Sequence, residues 1–266
     1  MVTGASSGIG AATASLLATK GYKVYGTSRK PNLEQHEFSM LQLDVLQTDT
    51  IQIAVQEIVS REGRLDVLVN NAGMGITGPL EETPTEEMRK VYETNFFGAI
   101  EVIKAVLPVM RAQGAGRIIN ITSIAGYMGL PYRGIYSATK ASLEIVTESL
   151  SMEVRGFGIR VISMAPGDFS TNIAAGRFHS PVLDESPYRD TYSRNLQLMD
   201  SHVTGGDDPE AMARRICAVI ECRDPRIHYK VGAFLQKFSI VLKRILPDRL
   251  YEKLLMRHYG MQPDHS

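Results

Sequence analysis

The sequence predicts an α/β fold built on a buried parallel sheet, and three observations carry that expectation. A glycine-rich turn, Thr3-Gly4-Ala5-Ser6-Ser7-Gly8-Ile9-Gly10, runs into helix formers from Ala11 to Lys20. Short apolar runs then alternate with longer amphipathic segments along the chain. At 266 residues the chain can bury a large core, and one α/β domain of this size is ordinary.

Composition excludes several classes of function. Lysine plus arginine and aspartate plus glutamate stand at 29 each, so no charge imbalance points to nucleic acid or to an acidic partner. Cys217 and Cys222 lie five apart in a predicted helix, on different faces, which disfavours a mutual disulfide. There is no His/Cys cluster with ligand spacing, so no metal is expected. No signal peptide and no apolar run near 20 residues is present, which reads as a soluble, cytoplasmic protein.

The elements follow in order. Gly4, Gly8 and Gly10 allow a tight turn and let backbone approach a bulky anion, with Ser6, Ser7 and Ile9 between them. The helix start beyond offers free N–H groups and a positive dipole end, which suits a pyrophosphate. A strand should precede this turn, yet only Met1 and Val2 do. Either the first strand is very short, or residues upstream of Met1 belong to it.

Lys23 to Lys30 is the second strand. In dinucleotide sites an acid at its end holds the ribose 2′-hydroxyl, whereas an arginine accommodates a 2′-phosphate. Here Ser28 stands where the acid would be and Arg29 follows, which favours NADP(H) over NAD(H). Phe38 to Leu43 is a third strand. Asp44 and Val45 at its end either meet the adenine or cap a turn. Thr48 to Glu62 is an amphipathic helix with Ile51, Val55 and Ile58 on its buried stripe. Leu65 to Val69 is a mostly apolar strand suited to a parallel sheet. Asn71, Ala72 and Gly73 lie past its end, where open α/β sheets bind ligands. Asn71 there serves either the cofactor or the tying of neighbouring strands.

Thr85 to Thr94 is helical, Asn95 follows, and the helix continues toward Gln113, bent at Pro108 and ended by Gly114. Arg117 to Thr122 is the fifth strand, and Ser123 sits just past it on the ligand edge. Tyr136 and Lys140 are one helical turn apart on one face. A neighbouring ammonium favours the phenolate and lowers a tyrosine pKa from its usual ~10, which suits proton exchange with a carbonyl or alcohol. On the same helix Leu143, Val146, Leu150 and Val154 form one apolar stripe, and Ala138, Ala141 and Ile145 form another. Gly158 to Met164 is the sixth strand and Arg226 to Val231 the last; Asp208-Pro209 starts a helix to Cys222. Residues 168–206 show no period and read as a lid with short helical turns, in which Phe169, Phe178 and Tyr188 either line a pocket or pin the lid down. In the tail, Phe234, Phe238, Val241 and Ile245 share one helix face. Basic residues there outnumber acidic ones, as in helices that lie on anionic membranes; packing on the pocket or on another subunit is the alternative.

The glycine turn, Asn71-Ala72-Gly73, Ser123 and the Tyr136/Lys140 pair come in an order and spacing that resemble the short-chain dehydrogenase/reductase family. The resemblance spans roughly residues 1 to 235 and implies a single Rossmann-type domain, a doubly wound parallel sheet of seven strands in three layers. Residues 1–232 would form it, with 233–266 as an amphipathic helical extension packed on the same domain. It implies that Tyr136 is the general acid/base, that Lys140 holds the nicotinamide ribose and lowers the Tyr136 pKa, and that Ser123 orients the carbonyl. Asn95 would support a water-linked proton path, and Pro166, Gly167 and Thr171 would touch the nicotinamide. Arg29 without a preceding acid looks like the NADP-preferring members. Family members often form homodimers or homotetramers, and similar tails accompany lipophilic substrates.

The expectation is therefore an NADP(H)-dependent oxidoreductase interconverting a ketone or aldehyde and an alcohol, on a bulky steroid- or retinoid-like substrate, with possible peripheral membrane contact through the tail. A 3-oxoacyl thioester reductase is the alternative within the enzyme class. A non-catalytic NADP-binding sensor or scaffold is the alternative outside it, and it has no need of Ser123, Tyr136 and Lys140 together. Arg29→Ala tests the cofactor reading. The Michaelis constant for NADPH should rise about 10- to 100-fold, the worth of a lost charge-assisted hydrogen bond, while that for NADH stays put. Equal effects on both would rule out the phosphate contact.

Overall fold

The opening turn is held inside a sheet by hydrogen bonds on both sides. Val2 N–H donates to Tyr25 O and Thr27 N–H donates to Val2 O, each at 2.9 Å. Across from them Thr3 N–H donates to Val69 O at 3.0 Å and Val69 N–H to Met1 O at 2.9 Å. Val2 thus bridges β1 (Tyr25–Ser28) and β3 (Val67–Asn70), parallel to both. The structure is a computed structural model that describes residues 1–32, 37–169, 176–204 and 206–261.

Around that bridge the strands run β2 (Ser39–Gln42), β1, Val2, β3, β5 (Gly116–Ile121), β6 (Ile159–Pro166) and β8 (His228–Val231). Every pairing is parallel. The sheet is therefore the doubly wound one expected, its first member a single bridged residue.

Helices cover both faces, because these strands are apolar on both sides. On one face α2 (Thr48–Glu62) and α4 (Gly98–Gln113) pack Ile51, Val55, Val102 and Val106 against Leu68 and Ile118. On the other, α1 (Gly8–Thr19) and α7 (Pro209–Glu221) pack Ala14, Leu17, Met212 and Ile216 against Val69 and Ile119. These are the three layers. Asp208 caps α7 through its carboxylate, which accepts from Glu210 N–H at 3.0 Å.

Two segments differ from the sequence expectation. The helix read as continuous from Thr85 is α3 (Thr85–Tyr92), then a π-helical turn over Glu93–Phe97, then α4; Gly114 ends it at φ 67° as expected. Within the lid, β7 (Phe178–His179) pairs with β4 (Ile76–Thr77), and α6 (Arg189–Thr204) is a full 16-residue helix rather than short turns. Its buried stripe, Tyr192, Asn195 and Met199, contains an asparagine, which hides the apolar period. The Asn195 amide donates to Tyr259 O at 3.0 Å, which is how a polar residue comes to sit there.

The tail forms α8 (Phe234–Ile245) and α9 (Asp248–His258). The stripe Phe234, Phe238, Val241 and Ile245 faces outward. The helix instead buries Ile240 and leans Leu242 on Ile124, Met128 and Tyr251.

Close backbone approach makes the opening turn intolerant of side chains. A Cβ on Gly10 would lie 2.3 Å from Gly4 O and 2.6 Å from Asn71 Nδ2. Gly10→Ala should cost about 2 kcal/mol of overpacking, lowering the melting temperature by about 4–8 °C. Thermal denaturation checks this, and an unchanged midpoint would mean that the turn relaxes freely.

Candidate active site

Two clefts open at the C-terminal edge of the sheet, and they meet at Ile9, Tyr136 and Pro166. The first, of about 480 Å³, is framed by the opening turn. Gly4, Ser6, Ser7, Gly8 and Ile9 line its floor. Ser7 begins α1 without a side-chain cap, so the first N–H groups of that helix stay available to a ligand. Ser28 and Arg29 line one end with Asp44 and Val45. Arg29 is exposed at the cleft rim. Asp44 Oδ1 accepts from Leu46 N–H at 3.0 Å, so the carboxylate caps a turn while facing the cleft.

Asn71, Ala72 and Gly73 form the opposite wall. Asn71 Nδ2 donates to Thr3 O at 2.9 Å and Gly4 O at 3.2 Å. Asn71 thus ties the turn to the end of β3 while also lining the cleft. Thr27 also lines this cleft, and its buried Oγ1 has no hydrogen-bond partner among the described residues. Free helix N–H groups, a glycine floor and a basic rim suit a phosphorylated dinucleotide.

Helix α5 (Gly134–Glu153) brings in the chemistry. Lys140 is buried, and its Nζ donates to Ile121 O at the end of β5 at 2.9 Å. It lies 6.0 Å from the centroid of the Tyr136 ring. Lys140 lines the nucleotide cleft, and Tyr136 lines both clefts. Ser123 faces the second cleft, with its Oγ fixed by accepting from Ala125 N–H at 3.1 Å. Pro166 belongs to both clefts and Gly167 to the second. Thr171 lies outside the described residues.

Asn95 lines neither cleft. It sits in the π-turn, 1% exposed, and its amide brackets Met74, accepting from Met74 N–H at 2.8 Å and donating to Met74 O at 2.9 Å. It also donates to Thr139 Oγ1 on α5 at 3.2 Å. The extra residue of a π-turn aims this side chain across three elements, a device common at functional sites.

The second cleft, of about 640 Å³, runs from Ser123 and Tyr136 to the C-terminal helices. Its walls are largely apolar, with Met128, Leu130, Phe169, Leu242 and Leu255 among them. Phe169 is thus a lining residue; Phe178 packs on the cluster around Tyr136, and Tyr188 is tied to Glu81 on the lid exterior.

Matches to known proteins settle the family. A family model described as short chain dehydrogenase matches residues 1–181. The chain belongs to the short-chain dehydrogenase/reductase family. A 3-ketodihydrosphingosine reductase of Bacteroides thetaiotaomicron is 41% identical over 98% of each chain. Human retinol dehydrogenase 8 is 34% identical over 85% of this chain and 78% of its own length. The crystal structure of a short-chain dehydrogenase from Streptomyces avermitilis superposes with a TM-score of 0.81 at 31% identity, covering 97% of this chain and 96% of that one.

Two features of the site carry little or no signal in the linear sequence. Arg133, at the N-cap of α5, stacks its guanidinium 5.4 Å from the Tyr136 ring centroid, opposite in origin to Lys140. Gln236 of α8 donates to Asp168 Oδ2 at 2.7 Å and fixes the floor of the second cleft. The three-residue spacing of Arg133 to Tyr136 was a signal for the first; nothing local pointed to the second.

Burial pushes the Lys140 ammonium below the ordinary lysine value of 10.5, with the Tyr136 phenol pulling the other way to a lesser extent. Between the lowered value and 10.5 the unfolded chain holds more protons than the folded one, so this group adds stability as pH rises through that window. Below the window the fold carries the cost of a buried charge. In nucleotide-free protein, Lys140→Met should therefore melt above the wild type at pH 7, and the gap should close toward the alkaline end. Melting curves at several pH values check this. A variant that melts well below the wild type at neutral pH would mean that the bond to Ile121 O outweighs the desolvation.

Proposed function

We propose that the protein is an NADP(H)-dependent reductase of a bulky or long-chain lipophilic ketone. One observation carries the reading: Tyr136 is shared by the two clefts, with Lys140 on the nucleotide side and Ser123 on the substrate side. A nicotinamide dinucleotide laid in the first cleft would be held by the opening turn, by Asn71 to Gly73 and by Lys140, and Arg29 would receive a 2′-phosphate. When bound, the reduced nicotinamide supplies the hydride. The chain then has to neutralise the charge that develops on the carbonyl oxygen. Ser123 Oγ–H donates a hydrogen bond to that oxygen, and the Tyr136 hydroxyl gives it a proton. The buried Lys140 ammonium steadies the phenolate that is left behind. In the alcohol-oxidising direction each step reverses.

The substrate class rests on the cleft and on relatives. The apolar walls suit a hydrocarbon chain or ring system, and a cleft of about 640 Å³ accommodates one. The 3-ketodihydrosphingosine reductase and the retinol dehydrogenase both carry names of lipophilic substrates. A ketone on the scale of 3-ketodihydrosphingosine is thus the first compound to try. The reading includes a homodimer or homotetramer through α4 and α5, where Ile145 and Met152 stand exposed. It also includes a cytoplasmic protein that touches lipid through α8 and α9. No helix among the described residues is long and apolar enough to cross a membrane.

Tyr136→Phe tests the chemistry. Turnover of a lipophilic ketone, followed by NADPH absorbance, should fall by about 10²- to 10⁴-fold, the usual share of a positioned proton donor. The dissociation constant for NADPH should stay within about threefold, since the ring and its packing remain. Near-normal turnover would refute the assigned role and leave a nucleotide-binding protein without this chemistry.

A further inference from the structure

The outward stripe of α8 is too apolar for an ordinary solvated face. Phe234 and Ile245 are each 72% exposed, and Phe238 and Val241 lie between them on the same side of the helix. The Phe234 and Phe238 rings stack with centroids 5.7 Å apart, so the stripe is a continuous surface. Across the turn at Pro247, Leu250 and Leu254 of α9 are exposed as well. Apolar surface concentrated in this way marks a contact with something.

Charge says what that something is. The segment from Phe234 to His258 holds six basic residues, Lys237, Lys243, Arg244, Arg249, Lys253 and Arg257, against two acids, Asp248 and Glu252. The whole chain is neutral, so this excess is local. Lys237 and Arg244, seven residues apart, run along one flank of the stripe. A second copy of the chain docking here through a twofold axis would set this positive rim against itself. An anionic bilayer takes both features, apolar side chains in the acyl boundary and cations at the headgroups.

The stripe also leads somewhere. Leu235 is 75% exposed and Leu254 46% exposed, yet both line the substrate cleft. Leu242 and Leu255 lie behind them, followed by Met128 and Leu130, and Ser123 and Tyr136 close the far end. Leu235 and Leu254, beside the stripe, therefore open into a largely apolar cleft that also holds Ser123 and Tyr136.

We propose that α8 and α9 dock on an anionic lipid surface and form the mouth through which a lipid ketone passes from the bilayer straight into the substrate cleft. The docking half stands on its own; the passage half rests on the reductase reading above. The gain is that an insoluble substrate never has to cross water, and the headgroup-level cations hold the mouth against the bilayer.

The test uses the full chain and a Phe234→Glu/Ile245→Glu double variant, two exposed positions outside both clefts. Sedimentation with phosphatidylcholine vesicles containing about a third phosphatidylglycerol should pellet the wild type. Pure phosphatidylcholine or added salt should weaken this, and the double variant should bind about tenfold or more weakly. Turnover is then measured with a long-chain ketone dissolved in those vesicles and with a short, water-soluble ketone. The variant should lose about tenfold on the vesicle-borne ketone only, relative to the wild type. Absence of wild-type pelleting overturns the docking, and a dimer broken by the double variant would hand the stripe to a second copy instead. Pelleting with equal loss on both ketones overturns the passage. Pelleting with no ketone reduced in either form leaves docking standing and removes the reductase reading.

Discussion

The hydrogen bond from Lys140 Nζ to Ile121 O fixes helix α5 against the end of β5, and the rest of the site depends on it. A buried ammonium must find acceptors, and the free carbonyl at a strand's C-terminal end is one. Once Lys140 is anchored there, Tyr136 one turn earlier is forced to the boundary between the two clefts. Burying the cation costs stability, as the depression of its pKa shows. The fold therefore accepts a local cost in order to hold a charge beside a phenol, as sites built for proton transfer commonly do.

Other elements hold that helix in place from the front. Asn95 joins the loop after β3 to Thr139 on α5, and does so from a π-turn because a regular helix would point the amide elsewhere. The loop entering α5 contains Tyr132 at φ 57°, unusual for a residue with a side chain. Its hydroxyl meets Thr191 Oγ1 of α6 at 2.7 Å, and its ring packs on Tyr192. The lid helix and the catalytic helix are thus coupled through one constrained tyrosine.

The substrate side is assembled from distant parts of the chain. Ser123 follows β5, Phe169 follows β6, and the far wall comes from α8 and α9. Gln236 of α8 packs onto Gly167, so a side chain there would have to displace the glutamine amide. The C-terminal helices are consequently part of the cleft, not an appendage to it. Their inner residues line the cleft while Phe234, Phe238, Val241 and Ile245 stay exposed on the outside, so one short segment presents two separate surfaces.

The fold and the nucleotide side were legible in the sequence because their signals are local. A glycine turn before a helix, a strand ending in Ser28-Arg29, and a Tyr136/Lys140 pair one turn apart each specify chemistry within a few residues. The expected parallel strands and their helices formed for the same reason. The sequence could not reveal the π-turn at Asn95, since the register shift answers to Met74 and Thr139, far away in the chain. Nor could it reveal α6, whose inner stripe includes Asn195, tied by its amide N–H to the distant backbone of Tyr259. Amphipathicity located α8 but not its orientation. A helix with apolar residues on two sides buries whichever side its neighbours complement, and only the tertiary packing of Ile240 and Leu242 on Ile124, Met128 and Tyr251 decided which side that was.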